Sequence, residues 1–297
     1  MKQHKTIQLL GVPMDLGQNR RGVDMGPSAL RYAGLQGRLE QLGYSVEDNG
    51  NMTVPNPEES SAKIGTRRLY AIADVCEAVF DWGQEVNSAE TITLYLGGDH
   101  SISIGSIKAV RNPAKTGVIW VDAHADFNTP QSSPSGNIHG MPVAVLTGEG
   151  AEPLVRIGDG VTIPAQNFVQ IGVRDVDSAE RVRLQTSQIN VITMSQVDRY
   201  GVATIAKEAL AKLAHCTALH VSLDLDSLDP SEAPGVGTAV RGGLTYREAH
   251  LLMEMLGDSG KVVSADVVEV NPILDRGNIT AELAVELVAS LLGKRIL

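Results

Sequence analysis

Gly117-Val118-Ile119-Trp120-Val121-Asp122-Ala123-His124-Ala125-Asp126 joins an apolar, β-branched run directly to a polar one. A run this short, bounded by polar residues, reads as a strand buried on both faces. Seven more stretches follow the same pattern, at 6–12, 44–48, 91–96, 167–173, 189–194, 217–223 and 261–268. Segments of helical periodicity separate them, at 27–42, 66–86, 102–111, 178–186, 203–214, 246–256 and 280–292. Two helix starts carry local signals: Pro27 in a first turn, and Thr245 with Glu248 three residues on, a capping box. Strand and helix alternating along a chain build βαβ units. The expected class is therefore α/β, a three-layer αβα fold around a central, mostly parallel sheet of about eight strands. The polar, Pro-containing stretch 51–61 reads as a surface loop within that fold, so 1–297 is expected to form one domain.

Composition agrees with a globular chain and narrows its partners. Apolar residues make up 43% and charged residues 20% of the 297 residues, with 30 Gly and 13 Pro, which excludes disordered and collagen-like classes. The 25 Lys and Arg against 35 Asp and Glu leave a net charge of −10. That charge repels nucleic acid and anionic membranes and attracts small cations. Cys76 and Cys216 lie far apart, both in segments read as helical, which suggests neither a zinc cluster nor a disulfide framework. The polar start and the short apolar stretch 7–12 resemble neither a signal peptide nor a membrane span. The expected location is the cytoplasm.

In open parallel sheets, ligands bind beyond the carboxyl ends of the strands. Here those ends are acidic. Gly97-Gly98-Asp99-His100 follows 91–96, Asp122-Ala123-His124-Ala125-Asp126 follows 117–121, and Asp224-Leu225-Asp226 follows 217–223. A spacing of two in an extended chain turns side chains to one side, so Asp122, His124 and Asp126 are expected to point together, as are Asp224 and Asp226. With His100 they supply two imidazoles and four carboxylates. Such a group cannot sit together uncompensated, because like charges at contact distance force protonation or unfolding. Two divalent cations would balance the four aspartates. Mixed carboxylate and imidazole ligation without thiolate favours Mn²⁺, leaves Fe, Co and Ni open, and disfavours a structural zinc. His4, His215, His220 and His250 read as surface or packing residues.

These motifs resemble the metal motifs of the ureohydrolases, the arginase and agmatinase superfamily. The resemblance narrows to the arginase family through Asn128-Thr129-Pro130, Ser133-Pro134-Ser135-Gly136-Asn137-Ile138-His139-Gly140, Gly172-Val173-Arg174-Asp175-Val176-Asp177 and Glu269-Val270-Asn271-Pro272. It implies two Mn²⁺ per subunit, one held by His100, Asp122, Asp126 and Asp224, the other by His124, Asp122, Asp224 and Asp226. It also implies that Asp99 is no direct ligand. Asp126 and His139 would carry protons and Glu269 would face the guanidinium. Asn128, Ser135 and Asn137 would receive a substrate carboxylate, Asp177 with Glu180 behind it an α-ammonium, and Thr238 joins the substrate-binding set.

The implied reaction is hydrolysis of L-arginine to L-ornithine and urea. A guanidinium carbon is a poor electrophile and neutral water a poor nucleophile. A water shared by two metal ions ionises far more readily than bulk water, whose pKa of about 15.7 falls to about 7 on a catalytic metal, so the expected nucleophile is a bridging hydroxide. The leaving amine needs a proton, which a group near both partners must deliver. Agmatinase or another guanidino-acid hydrolase is the near alternative. A two-metal phosphoesterase, for which Arg174 would be the phosphate clamp, and a non-catalytic metal-stabilised homologue are the others. The resemblance further implies a homotrimer or homohexamer with Asp198, Arg199, Arg247 and Glu248 in charged subunit contacts; by themselves these residues read as solvated surface charges.

Overall fold

The computed structural model describes residues 5–56 and 66–295. Residue His4 and the part of the expected surface loop at 57–61 lie outside the described residues. Eight strands form one sheet: β1 (Thr6–Val12), β2 (Ser45–Asn51), β3 (Thr91–Gly97), β4 (Thr116–Val121), β5 (Phe168–Val173), β6 (Asn190–Thr193), β7 (Ala218–Asp224) and β8 (Val262–Val268). Their order is β2-β1-β3-β8-β7-β4-β5-β6, and every pairing is parallel. The sheet is thus wholly rather than mostly parallel.

Both faces are covered over the inner strands, which explains why these read as near-continuous apolar runs, while the edge strand β2 is polar and largely exposed. In β4, Ile119 and Val121 pack towards the helices at Val202–Lys212, Tyr246–Asp258 and Ile279–Leu291. Val118 and Trp120 belong to the cluster on the other side, with Val143, Ala144 and Leu146 of helix Pro142–Leu146. Further along that side, Leu10 and Val12 of β1 meet Ile72, Val75 and Val79 of helix Thr66–Val86. Among the described residues, no helix is long and apolar enough to cross a membrane.

Several local readings are corrected. The single helix expected at 27–42 is two, Gly26–Tyr32 and Leu35–Gln41, separated at Gly34 with φ 85°; a left-handed residue breaks the ladder, and glycine adopts it without penalty. Residue 194 does not end a strand but starts helix Met194–Tyr200, whose Thr193 and Gln196 form a capping box. Cys216 lies between helix Val202–Lys212 and β7, not within a helix. Both cysteines are free. The capping box at Thr245 and Glu248 is present as read.

Candidate active site

Four consecutive strands at the middle of the sheet, β3, β8, β7 and β4, send their carboxyl ends to one place. The three ends that carry the expected ligands are therefore not all immediate neighbours: β7 and β4 adjoin, but β8 runs between β3 and β7. It contributes Glu269 directly after its last residue.

The spacing of two at these ends has a physical cause other than strand alternation. Asp122 lies past the end of β4, and its Oδ1 accepts a hydrogen bond from the backbone N–H of His124 at 2.7 Å. Asp224 Oδ1 accepts from Asp226 N–H at 2.8 Å, and Asp99 Oδ1 from Ser101 N–H at 2.9 Å. Each is an Asx turn, in which a short carboxylate replaces the next backbone acceptor when a strand stops. Asp126 then turns inward through a left-handed backbone, φ 49°, and Glu269 does likewise at φ 63°. Non-glycine residues rarely hold this conformation, and where they do it tends to be at functional sites.

The expected ligands do converge. His100 Nδ1 lies 3.2, 3.1 and 3.2 Å from Asp122 Oδ2, Asp126 Oδ2 and Asp224 Oδ2. His124 Nδ1 lies 3.0 Å from Asp226 Oδ2 and 3.4 Å from Asp122 Oδ1. Two groups have donor atoms close enough to share an ion, His100 with Asp122 and Asp224, and Asp122 with His124 and Asp226. Asp122 is common to both. The set fits hard divalent cations: His100 Nδ1 is buried with no hydrogen-bond partner, although buried polar atoms are normally paired.

Charges in the group are strained accordingly. Burial and the neighbouring Asp226 and Asp122 push Asp224 well above the usual carboxylate range. Burial and Asp122 push Asp126 up to about 6. Burial opposes charge on His100, but the nearby carboxylates of Asp122, Asp126 and Asp224 raise it well above the ordinary imidazole value.

Side chains behind the group hold it in place. Trp120 stacks on His100 with ring centroids 4.0 Å apart and planes 7° apart, and its Nε1 donates to Asp122 Oδ2 at 2.9 Å. Thr238 Oγ1 donates to Asp226 Oδ2 at 2.8 Å, so it touches an expected ligand rather than standing alone on the substrate side. The Asp99 carboxylate is engaged by backbone groups instead: its Oδ2 accepts from Gly17 N–H at 2.8 Å, and Gly17 O in turn accepts from His139 N–H at 3.1 Å. A Cβ at Gly17 would lie 2.2 Å from Ser101 Oγ, so only glycine lets this loop reach the segment carrying His139. Arg174 is no phosphate clamp: its guanidinium donates to the carbonyls of Gly172, Asp226, Ser227, Leu228 and Val240.

Above this floor opens a cavity of about 300 Å³, lined by His124, Asp126 and Asp224 below and by Asn128, Ser135, Asn137, His139, Asp177, Glu180 and Thr238 around it. Asp177 caps helix Ser178–Thr186, Oδ1 accepting from Ala179 N–H and Glu180 N–H, while Oδ2 accepts from Asn128 Nδ2 at 2.8 Å. These hydrogen bonds outweigh burial and hold its carboxyl below the usual range. Glu180 is buried, its Oε1 accepting from Phe127 N–H at 2.8 Å and its carboxyl pushed up to about 8 by burial. Glu269 is wholly committed: Oε1 accepts from His100 N–H at 3.0 Å and faces His139 Nδ1 at 2.9 Å, and Oε2 accepts from Gln18 Nε2 at 2.8 Å. Gln18 had no signal in the sequence, because its neighbour Gly17 joins the site through backbone groups alone, which residue types do not report.

A family model, the arginase family, matches residues 5–293. The chain belongs to the arginase family. It is 50% identical over 295 residues to the arginase of Bacillus subtilis strain 168, covering 99% of both chains. The solved arginase of Bacillus caldovelox superposes with a TM-score of 0.94 at 48% identity, covering 99% of this chain and 100% of that one. The Entamoeba histolytica arginase, solved in complex with L-ornithine, gives 0.90 at 31% identity, covering 98% and 100%. Membership in the arginase family therefore spans nearly the whole chain, and the eight-stranded sheet is the arginase fold.

Proposed function

We propose that this chain hydrolyses L-arginine to L-ornithine and urea, with two Mn²⁺ ions held by His100, Asp122, Asp126, His124, Asp224 and Asp226. The observation that carries this reading is the layering of one cavity, with the metal-fitting floor at its base and the anionic Asp177, braced by Asn128, at its rim. A guanidinium at one end and an α-amino acid at the other match those two layers. When bound, the cations would lower the pKa of a water towards 7 and so supply a hydroxide at neutral pH.

The chain's own residues then have separable tasks. Asp177 receives the α-ammonium, and Ser135 and Asn137 offer donors to the α-carboxylate. Asp126, at the base of the cavity, is placed to move a proton from nucleophile to leaving nitrogen. His139 lines the same cavity with Nδ1 on Glu269, which leaves Nε2 to exchange protons with solvent. Burial opposes its charge, but Glu269, Asp126 and Asp99 raise it to about 9 without cations; two positive ions beside Asp126 would draw it back towards neutrality. The same reading treats 1–297 as one catalytic domain acting in the cytoplasm as a homotrimer or homohexamer, with Asp198, Arg199 and Arg247 exposed for subunit contacts. Glu248 is already engaged by Thr245.

The test is urea release from arginine, agmatine and guanidinobutyrate by one Mn²⁺-loaded sample. Arginine is expected to be preferred; turnover favouring agmatine, which lacks the carboxylate, would place the chain with the alternative. Asp177→Asn keeps the helix cap, because its Oδ1 still accepts from Ala179 and Glu180 N–H, and gives up the hydrogen bond from Asn128 together with the charge. It is expected to raise KM for arginine at least about tenfold, the loss of one charged hydrogen bond, with metal content unchanged. An unaltered KM removes Asp177 from the ammonium site.

A further inference from the structure

A second set of buried polar groups lies beneath the site, within the sheet. β7 and β8 pair with His220 beside Ser264 and Ser222 opposite Asp266, and all four residues are 2% exposed or less. Such positions in a covered parallel sheet are normally apolar, and a buried polar group needs a partner. Asp266 is where they meet. Its Oδ1 accepts from Ser222 Oγ at 2.5 Å. Its Oδ2 accepts from Ser106 Oγ at 2.7 Å and Ser103 Oγ at 3.0 Å, and faces His220 Nε2 at 2.9 Å. Burial works against its charge, but His220 and the hydroxyls prevail and hold the carboxyl below its usual range.

An ionised carboxylate can only accept, and that direction propagates upward. Ser222 gives its hydroxyl hydrogen to Asp266, so towards His100 Nε2, 2.8 Å away, it can only accept. His100 then carries a hydrogen on Nε2. Its Nδ1, in the neutral ring, presents a bare lone pair among Asp122, Asp126 and Asp224.

We propose that Asp266 is a positioning residue: acting through Ser222, it fixes the His100 proton on Nε2 and keeps Nδ1 available to a metal ion. This rests on His100 being a ligand. Partners behind a ligating histidine commonly set its tautomer and orientation; here the task passes through a hydroxyl. Ser103, Ser106 and His220 saturate the other oxygen and keep the carboxylate from turning away.

Asp266→Asn preserves size and reverses the signal. Those same three donors claim the amide oxygen, which turns the NH₂ towards Ser222; Ser222 then donates to His100 Nε2, and the ring hydrogen moves to Nδ1. In chelator-competition titrations with Mn²⁺, the wild-type chain is expected to hold two ions. Asp266→Asn is expected to weaken one of them roughly 10- to 100-fold and the other less than about threefold. Ser222→Ala cuts the link while leaving Asp266 its other donors; it is expected to show the same split, and it carries the test should the Asn variant fail to fold. Equal weakening of both ions, or a folded variant that holds both as tightly as the wild type, overturns the role of Asp266. A wild-type chain that binds no Mn²⁺ overturns the metal reading itself, and this inference with it.

Discussion

Asp126→Asn is expected to lower kcat at saturating Mn²⁺ by about 10³-fold, the range over which a positioned acid–base group acts. The substitution isolates chemistry from folding for a structural reason. Asp126 sits at φ 49°, and asparagine tolerates this left-handed conformation as readily as aspartate does. Its backbone carbonyl, which accepts from Val143 N–H at 3.0 Å, is untouched. What is lost is a carboxylate oxygen 3.1 Å from His100 Nδ1 and a group able to take up and return a proton. Both metal affinity and turnover should suffer. Metal titration separates the two, because excess Mn²⁺ restores the first and not the second. Activity equal to wild type under excess Mn²⁺ would refute the proton-carrying role.

Metal and pH are expected to act on stability in opposite directions. Without cations the folded site retains protons: Asp126 is raised to about 6 and Asp224 well above its usual range, both chiefly by burial, and His100 and His124 are raised by the aspartates around them. The unfolded chain gives up those protons near pH 4 for the carboxylates and near 6.5 for the imidazoles. Groups with raised folded pKa values contribute stability that is present below the unfolded value and lost as pH climbs through the folded one. Asp122, held well below its usual range, opposes this only at the acid end. The metal-free chain should therefore lose stability between pH 5 and pH 8.

With Mn²⁺ the sign reverses, because the ions require deprotonated ligands and acid expels them. At 100 times Kd each site adds about 2.7 kcal/mol, so two ions should raise Tm at pH 8 by roughly 10 °C. Thermal scans at pH 5 to 8, in chelator and in Mn²⁺, check both halves. A metal-free Tm that climbs to pH 8, or no Mn²⁺ effect there, would contradict the charge arrangement described.

The sheet was legible because strands covered on both faces are largely apolar, and the apolar runs of β4 and β7 end abruptly in acid at Asp122 and Asp224. Boundaries governed by one backbone angle were not: Gly34 breaks a helix that periodicity runs through. His220 illustrates the other limit. Alone in β7 it is an ordinary buried histidine, and only pairing with β8 brings it to Asp266.

What the chain order carries unaided is residue type at strand ends, and that was enough to collect acids and imidazoles into a metal-fitting group, since six such residues have few other ways to be buried. What it cannot carry is the adjacency of distant segments. Placing β8 between β3 and β7 set Glu269 beside His100, the close approach of Gly17 brought His139 over the cavity, and left-handed turns at Asp126 and Glu269 aimed both carboxylates inward. These depend on packing and backbone strain summed over the whole fold, and no local stretch of sequence encodes them.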